Sequence, residues 1–289
     1  MTGPQAAMLP DGRRLHLNHG PIDLIIEAFG DEVEIRAAYR QAKDRFDTVL
    51  TELVAELPEL RRPAGPKRRA FAGSTARRME RAVCRFAGSV FITPMAAVAG
   101  SVADEVIAAM VDGRGLDRAY VNDGGDIALF LAPGTQMKAA IAGTGHGLLD
   151  RVTIRAADPV RGIATSGWRG RSHSLGIADA VTVLAKDAAT ADAAATLIAN
   201  AVDLPGHRAI ERTPANDLAP DSDLGFRLVT TGVGPLSRDE VGVALEKGQL
   251  VAEDLAGRGL IVSAALFLAG ESRLAGALGK TTGRSLAHA

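Results

Sequence analysis

Apolar residues recur at helical spacing between Asp31 and Leu57. Val33, Ala37, Tyr39, Ala42, Phe46, Val49, Leu50, Leu53 and Leu57 alternate with charges, and Pro58 stops the pattern. This predicts a long amphipathic helix. Before it, Arg14 to Leu17 and the apolar run inside Ile22 to Ala28 predict two strands. Residues 58–74, rich in Pro, Arg and Gly, read as a linker. A basic helix is predicted over Thr75 to Phe86, a strand over Val90 to Thr93, and an Ala-rich helix from Pro94 or Met95 to Val111, closed by Asp112-Gly113. Further strands are predicted at Ala119 to Val121, Ile127 to Leu131, Met137 to Ala142, Val152 to Arg155 and Ile177 to Ala185. A helix capped by Thr190 should run to Val202. Residues 203–223, polar and Pro-rich, read as a surface excursion. A strand at Phe226 to Thr231, a helix from Ser237 to Asp254 and a strand at Leu260 to Leu268 complete the pattern, and the chain after Gly270 reads as frayed. Helices come early, strands cluster in the middle and many turns are short. The pattern therefore predicts an α+β fold, with antiparallel or mixed sheets flanked by helices, rather than a doubly wound parallel sheet.

The 289 residues are 47% hydrophobic, enough for a substantial core, and the formal net charge of −1 gives no general attraction to nucleic acid or to an anionic membrane. The run Arg61-Arg62 to Lys67-Arg68-Arg69 is local, and both a solvated linker and a phosphate-binding patch fit it. A lone cysteine, Cys84, excludes an intrachain disulfide and a Cys-rich zinc site. The first ten residues lack a secretory signal pattern. Neither apolar stretch, Ser89 to Ala103 or Gly259 to Gly270, is expected to reach the roughly 18–20 residues of a spanning helix.

Two phosphate motifs are excluded by spacing. Gly143-x-Gly145-x-Gly147 is not a dinucleotide fingerprint, and Gly279-Lys280-Thr281 lacks the first glycine of a P-loop, with Leu274 in its place. Three other segments concentrate polar groups in an otherwise Ala-rich chain. Asn122-Asp123-Gly124-Gly125-Asp126 fits a hairpin turn, and the same backbone would let a ligand come close and offer N–H groups to an anion. Thr165-Ser166-Gly167 supplies hydroxyl and amide donors to a phosphate or flavin-like ring, or is a plain loop. His173, shortly after it, is an exposed residue or a general base. Asp192 and Thr196 share a helix face. Asp192 either complements the helix dipole or joins the Thr196 hydroxyl as a hard-cation site suited to Mg²⁺.

In this order, Asn-x-Gly-Gly-Asp, Ala-Thr-Ser-Gly, His and Ala-Asp-x-x-Ala-Thr resemble the ApbE superfamily of FAD:protein FMN transferases, and in particular its UPF0280 branch. The resemblance covers residues 90–270 and, in weaker outline, the whole chain. It implies an ApbE-like α-β roll in a single domain over 1–275, with the linker and excursion inside it and a flexible tail at 276–289. It also implies a cytoplasmic, Mg²⁺-dependent enzyme acting on FAD or a related phosphorylated cofactor. Such an enzyme cleaves the FAD pyrophosphate or transfers FMN to a hydroxyl of an acceptor protein. By matching position, Asp192 and Thr196 resemble the metal ligands. Asn122, Gly124, Gly125 and Asp126 resemble the turn beside the flavin, Thr165, Ser166 and Gly167 the loop before the catalytic histidine, and His173 that histidine. These segments are expected to form one cleft. Two departures keep other readings open: Ala99 stands where the transferases carry a lysine, and His173 to Asp179 lacks their Asp-Pro. The alternatives are a non-catalytic ligand-binding protein on the same fold, or an enzyme of a pterin-like or nucleotide-like cofactor pathway. The sequence leaves the oligomeric state open.

Overall fold

A computed structural model describes residues 3–88, 90–140 and 151–277. The chain divides into two compact units. One comprises Met1–Ala139, Thr153–Ala164 and Lys186–Asp192; the other comprises Ala140–Val152, Thr165–Ala185 and Ala193–Ala289.

The first unit is built on an antiparallel sheet in the order β1 (Gln5–Met8), β2 (Leu15–His19), β3 (Ile22–Gly30), β4 (Leu116–Asp123), β5 (Asp126–Leu131), β8 (Gly162–Ser166). Alternation decides which face of the sheet is covered: Leu24, Ile26 and Ala28 of β3 and Ala119 and Val121 of β4 are buried. Helix α1 (Glu32–Ala55) starts at Asp31, whose carboxylate accepts the Val33 N–H, and lays Ala38, Ala42, Phe46, Val49 and Leu53 into the same core. The short helix α2 (Leu57–Leu60) and helix α3 (Ser74–Val83) come next. A 3₁₀ turn at Pro94–Ala97 leads into α4 (Val98–Val111), which adds Val102, Ala103, Val106 and Met110 to the core. Strands β6 (Gln136–Ala140) and β7 (Arg151–Arg155) form a separate two-stranded ribbon.

In the second unit every residue of β9 (Ala180–Ala185) is buried. It pairs antiparallel with β12 (Ser263–Leu268), which pairs with β13 (Glu271–Gly276). Most of helix α5 (Ala188–Ala201) belongs here and buries Ile198 and Ala199. Strands β10 (Ile210–Pro214) and β11 (Leu228–Val233) form a two-stranded sheet with the short helix α6 (Ala215–Leu218) between them. Helix α7 (Arg238–Gly257) packs on β12 and β13. It opens with a capping box in which Ser237 and Glu240 satisfy each other's backbone N–H groups. The α+β fold with antiparallel sheets flanked by helices is as expected.

Several elements differ from the sequence-based expectation. The linker over 58–74 is packed: Leu60 and Phe71 are buried, and Arg69 pairs with the buried Glu80 at 2.7 Å. No strand forms over Val90 to Thr93, where Pro94 turns the chain and the Thr93 hydroxyl caps the 3₁₀ turn through the Met95 N–H. Gly162 to Ser166 is a strand, because Ile163 and Ala164 are buried beside β5. The excursion at 203–223 contains β10 and α6. The polar segment after Gly270 is an edge strand whose partner lies just before it in the chain. Pro94–Val111 is, by length and composition, apolar enough to cross a membrane, contrary to expectation, but more than half of it is buried within the molecule. The excluded glycine motifs at 143–147 and 279–281 lie outside the described residues, as does all but the start of the expected tail.

Candidate functional site

Asp192 sits in the second turn of α5, and its environment in the first unit is set by α4. Helix α4 has no side-chain cap of its own at Ala97. Its third N–H, from Gly100, is one of the orphan donors of a helix start and donates instead to Asp192 Oδ2 at 3.0 Å. The arrangement is reciprocal. Asp104 of α4 accepts the first two N–H groups of α5, from Ala188 and Ala189, at 3.0 and 2.9 Å. Asp187 completes that cap by accepting the Thr190 N–H at 2.7 Å. Asp187, not Thr190, is therefore the cap of α5, and Asp192 lies beyond the first turn. The two helix starts cap each other through carboxyl side chains.

This geometry requires a glycine at position 100. A Cβ built there would lie 2.3 Å from the Ala188 carbonyl oxygen and 2.8 Å from the Ala189 nitrogen, both backbone atoms. Gly100, Asp104 and Asp187 were not among the predicted site residues. A glycine inside an apolar helix was the available signal, since it costs about 1 kcal/mol relative to alanine and so marks a close approach.

Clustering of carboxylates shapes their titration. Burial pushes the Asp192 carboxyl well above the ordinary carboxylate range. The charges of Asp126, Asp123 and Asp104 push the same way, and the Gly100 N–H opposes them. Burial likewise raises Asp104 to about 7, helped by Asp187 and opposed by the two N–H groups it accepts. A carboxyl that keeps its proton in the folded state stabilises the fold below its unfolded pKa, and that contribution is lost as pH rises to the folded value. The melting temperature of Asp104→Asn, measured in chelator-treated buffer, is therefore expected to fall less than that of the unaltered chain between about pH 4 and pH 7. Parallel curves would contradict the assignment.

The Asn122–Asp126 segment is a two-residue hairpin turn. Asp123 faces Asp126 across it, and Gly124 and Gly125 both adopt positive φ, +62° and +116°. The Gly125 N–H donates to Asn122 Oδ1 at 2.8 Å, so this amide is committed within the turn and cannot serve the anion nest considered from the sequence. Asp126 lies close enough to Asp192 for their charges to interact, which joins the turn to the start of α5. Oδ1 of Asp192 accepts no hydrogen bond among the described residues. One turn further along α5, the hydroxyl of the half-buried Thr196 makes none either. No group of three His, Cys, Asp or Glu side chains among the described residues is arranged to hold a metal ion.

In the second unit, Thr165 and Thr182 hydroxyls are 2.9 Å apart. Ser166 is half-buried and Gly167 buried. Asp179 anchors the segment after Gly167: its carboxylate accepts from Trp168 Nε1, Arg169 Nε and the Ala269 N–H at 3.3, 2.8 and 2.7 Å. His173 is exposed and has no hydrogen-bonding partner among the described residues.

The chain is similar in fold to the ApbE protein from Thermotoga maritima, with a TM-score of 0.53 and 13% identity over 97% of this chain and all of the other. A family model described as AbpE bacteria matches residues 6–274, and the chain belongs to that family. It is 41% identical over 124 residues to a UPF0280 protein of Methanococcoides burtonii, an alignment covering 43% of this chain and 51% of the relative. It is 38% identical over 121 residues to one of Methanothrix thermoacetophila, covering 42% and 50%. The chain thus spans about half the length of the curated relatives it matches.

Proposed function

We propose that the protein is a Mg²⁺-dependent enzyme acting on FAD or a related phosphorylated cofactor. The observation that carries this reading is Asp192. It is a partly buried carboxylate at the position matching the family's metal ligand, crowded by Asp126 and Asp123, with one oxygen uncommitted. A divalent cation would relieve that repulsion. Asp192 and Thr196 would hold it, and when bound it neutralises charge on the phosphates. The Thr165–Gly167 segment and the Asn122–Asp126 turn are the proposed contacts to the cofactor. His173, open to solvent, accepts the proton of the attacking hydroxyl, either of water or of an acceptor protein's side chain. The new bond joins that oxygen to the FMN phosphorus; the pyrophosphate P–O bond breaks and AMP leaves, so FAD plus the hydroxyl compound gives AMP plus FMN or its ester. The solitary Cys84 suits a reducing compartment, and the cytoplasm is part of the proposal.

Incubating the chain with FAD and Mg²⁺ and separating the products chromatographically tests this. AMP and FMN should accumulate with Mg²⁺ and not with chelator. His173→Ala should lower kcat by about 10²-fold or more while leaving FAD affinity near that of the unaltered chain; equal losses in both would reassign His173 to positioning. A second reading, a non-catalytic ligand-binding protein, is favoured by one observation: the half-buried Ala99 next to Gly100 supplies no cation where the transferases carry lysine. Tight FAD binding without AMP release would support it. Mass analysis of a co-purified pterin or other nucleotide would instead support a different cofactor pathway.

A further inference from the structure

A cavity of about 1040 Å³ opens at one end of the first unit's sheet, where the end of β3, the start of α1 and residues 134–136 meet. Its wall carries one unusual charge. Arg118 on β4 stands directly opposite Phe29 on β3, and its guanidinium lies over the Phe29 ring, 4.2 Å from the centroid. Nη1 donates to the Gln136 carbonyl at 3.2 Å, which holds the plane in place. Nε and Nη2 find no acceptor, and no carboxylate pairs with this half-buried side chain among the described residues. Of the other charges here, Arg36 pairs with Glu32 at 3.1 Å and Arg13 faces Glu27 at 3.7 Å, whose carboxylate also accepts the Tyr120 hydroxyl, while the exposed Asp117 carboxylate pairs with no cation among the described residues. The Tyr39 hydroxyl is spent on the Arg13 carbonyl and the Ala28 N–H, so Tyr39 offers only its ring. Met8 and Ile35 add apolar surface.

We infer that this cavity binds a small organic anion, with a flat apolar body against Met8, Ile35 and Tyr39 and a carboxylate or phosphate head on the free edge of Arg118. The Nε–Nη2 edge is the side of a guanidinium that grips two oxygens at once, and the stacked ring and the Gln136 carbonyl hold it in register beforehand. Every residue involved lies between Met8 and Gln136, so this site stands apart from the roles proposed for Asp192 and His173.

The test uses the full chain and two probes, 4-iodobenzoate and 4-iodophenyl phosphate, titrated by calorimetry. At least one should bind at one site per chain, and which binds more tightly tells a carboxylate from a phosphate ligand. Arg118→Gln should weaken that binding about tenfold or more. Arg81→Gln, an exposed arginine away from the cavity, should leave it unchanged. Should Arg118→Gln fail to fold, crystals of the unaltered chain grown with the tighter probe give the answer through the iodine anomalous signal, expected toward Met8, Ile35 and Tyr39, at the end of the ring opposite the head on Arg118. Failure of both probes to bind at millimolar concentration, binding untouched by Arg118→Gln, or iodine placed elsewhere would each overturn the inference.

Discussion

Gly100→Ala is expected to destabilise the chain by about 4 kcal/mol, lowering its melting temperature by roughly 10 °C. Local physics alone predicts the opposite sign, because alanine is the better helix former by about 1 kcal/mol. Tertiary packing reverses it. The added methyl would sit 2.3 Å from the Ala188 carbonyl oxygen. No side chain can rotate away there, so α4 and the start of α5 must separate. Separation stretches the Gly100–Asp192 bond and both bonds to Asp104, each a hydrogen bond worth about 0.5–1.5 kcal/mol. Denaturant or thermal unfolding of the variant measures the sum. A melting temperature equal to or above that of the unaltered chain would show that the two helix starts do not approach as described.

Asp192→Asn should separate stability from function. Asparagine keeps an acceptor for the Gly100 N–H and removes the cost of protonating, on folding, a carboxyl whose charged form burial and Asp126 disfavour, so in metal-free buffer at neutral pH the variant should melt higher than the unaltered chain. Its metal-dependent cleavage of FAD should fall by about a thousandfold, the scale on which loss of a single charge-stabilising group acts. Gain of stability with loss of activity is the signature of a carboxylate retained for chemistry. Loss of stability with activity retained would make Asp192 a helix cap and nothing more.

Local pattern carried some parts of this fold and not others. The spacing of Ala42, Phe46, Val49 and Leu53 located α1 to within two residues, and the run Leu24-Ile25-Ile26 located β3, because each depends only on neighbours in sequence. Gly162 to Ser166 looked like a loop because glycines bracket it; only pairing with β5 makes it a strand. Asp187 and Thr190 are both good caps, and what selects Asp187 is that Asp104, more than 80 residues earlier, takes the next two N–H groups. For the candidate site, residue type and order pointed to Asp192, Thr196 and the glycine turn, and these carry the proposal. The partners that define the setting of Asp192 were not legible, because Gly100 lies 92 residues away and no local rule links a helix-interior glycine to a carboxylate at that distance.

The most direct test of the metal assignment is electron paramagnetic resonance of Mn²⁺, standing in for Mg²⁺, titrated into the chain with FAD present. The account predicts that the free-ion signal is quenched by one equivalent per chain, and that Asp192→Asn, folded and still binding FAD, abolishes the quenching. Equal quenching by both proteins would contradict it.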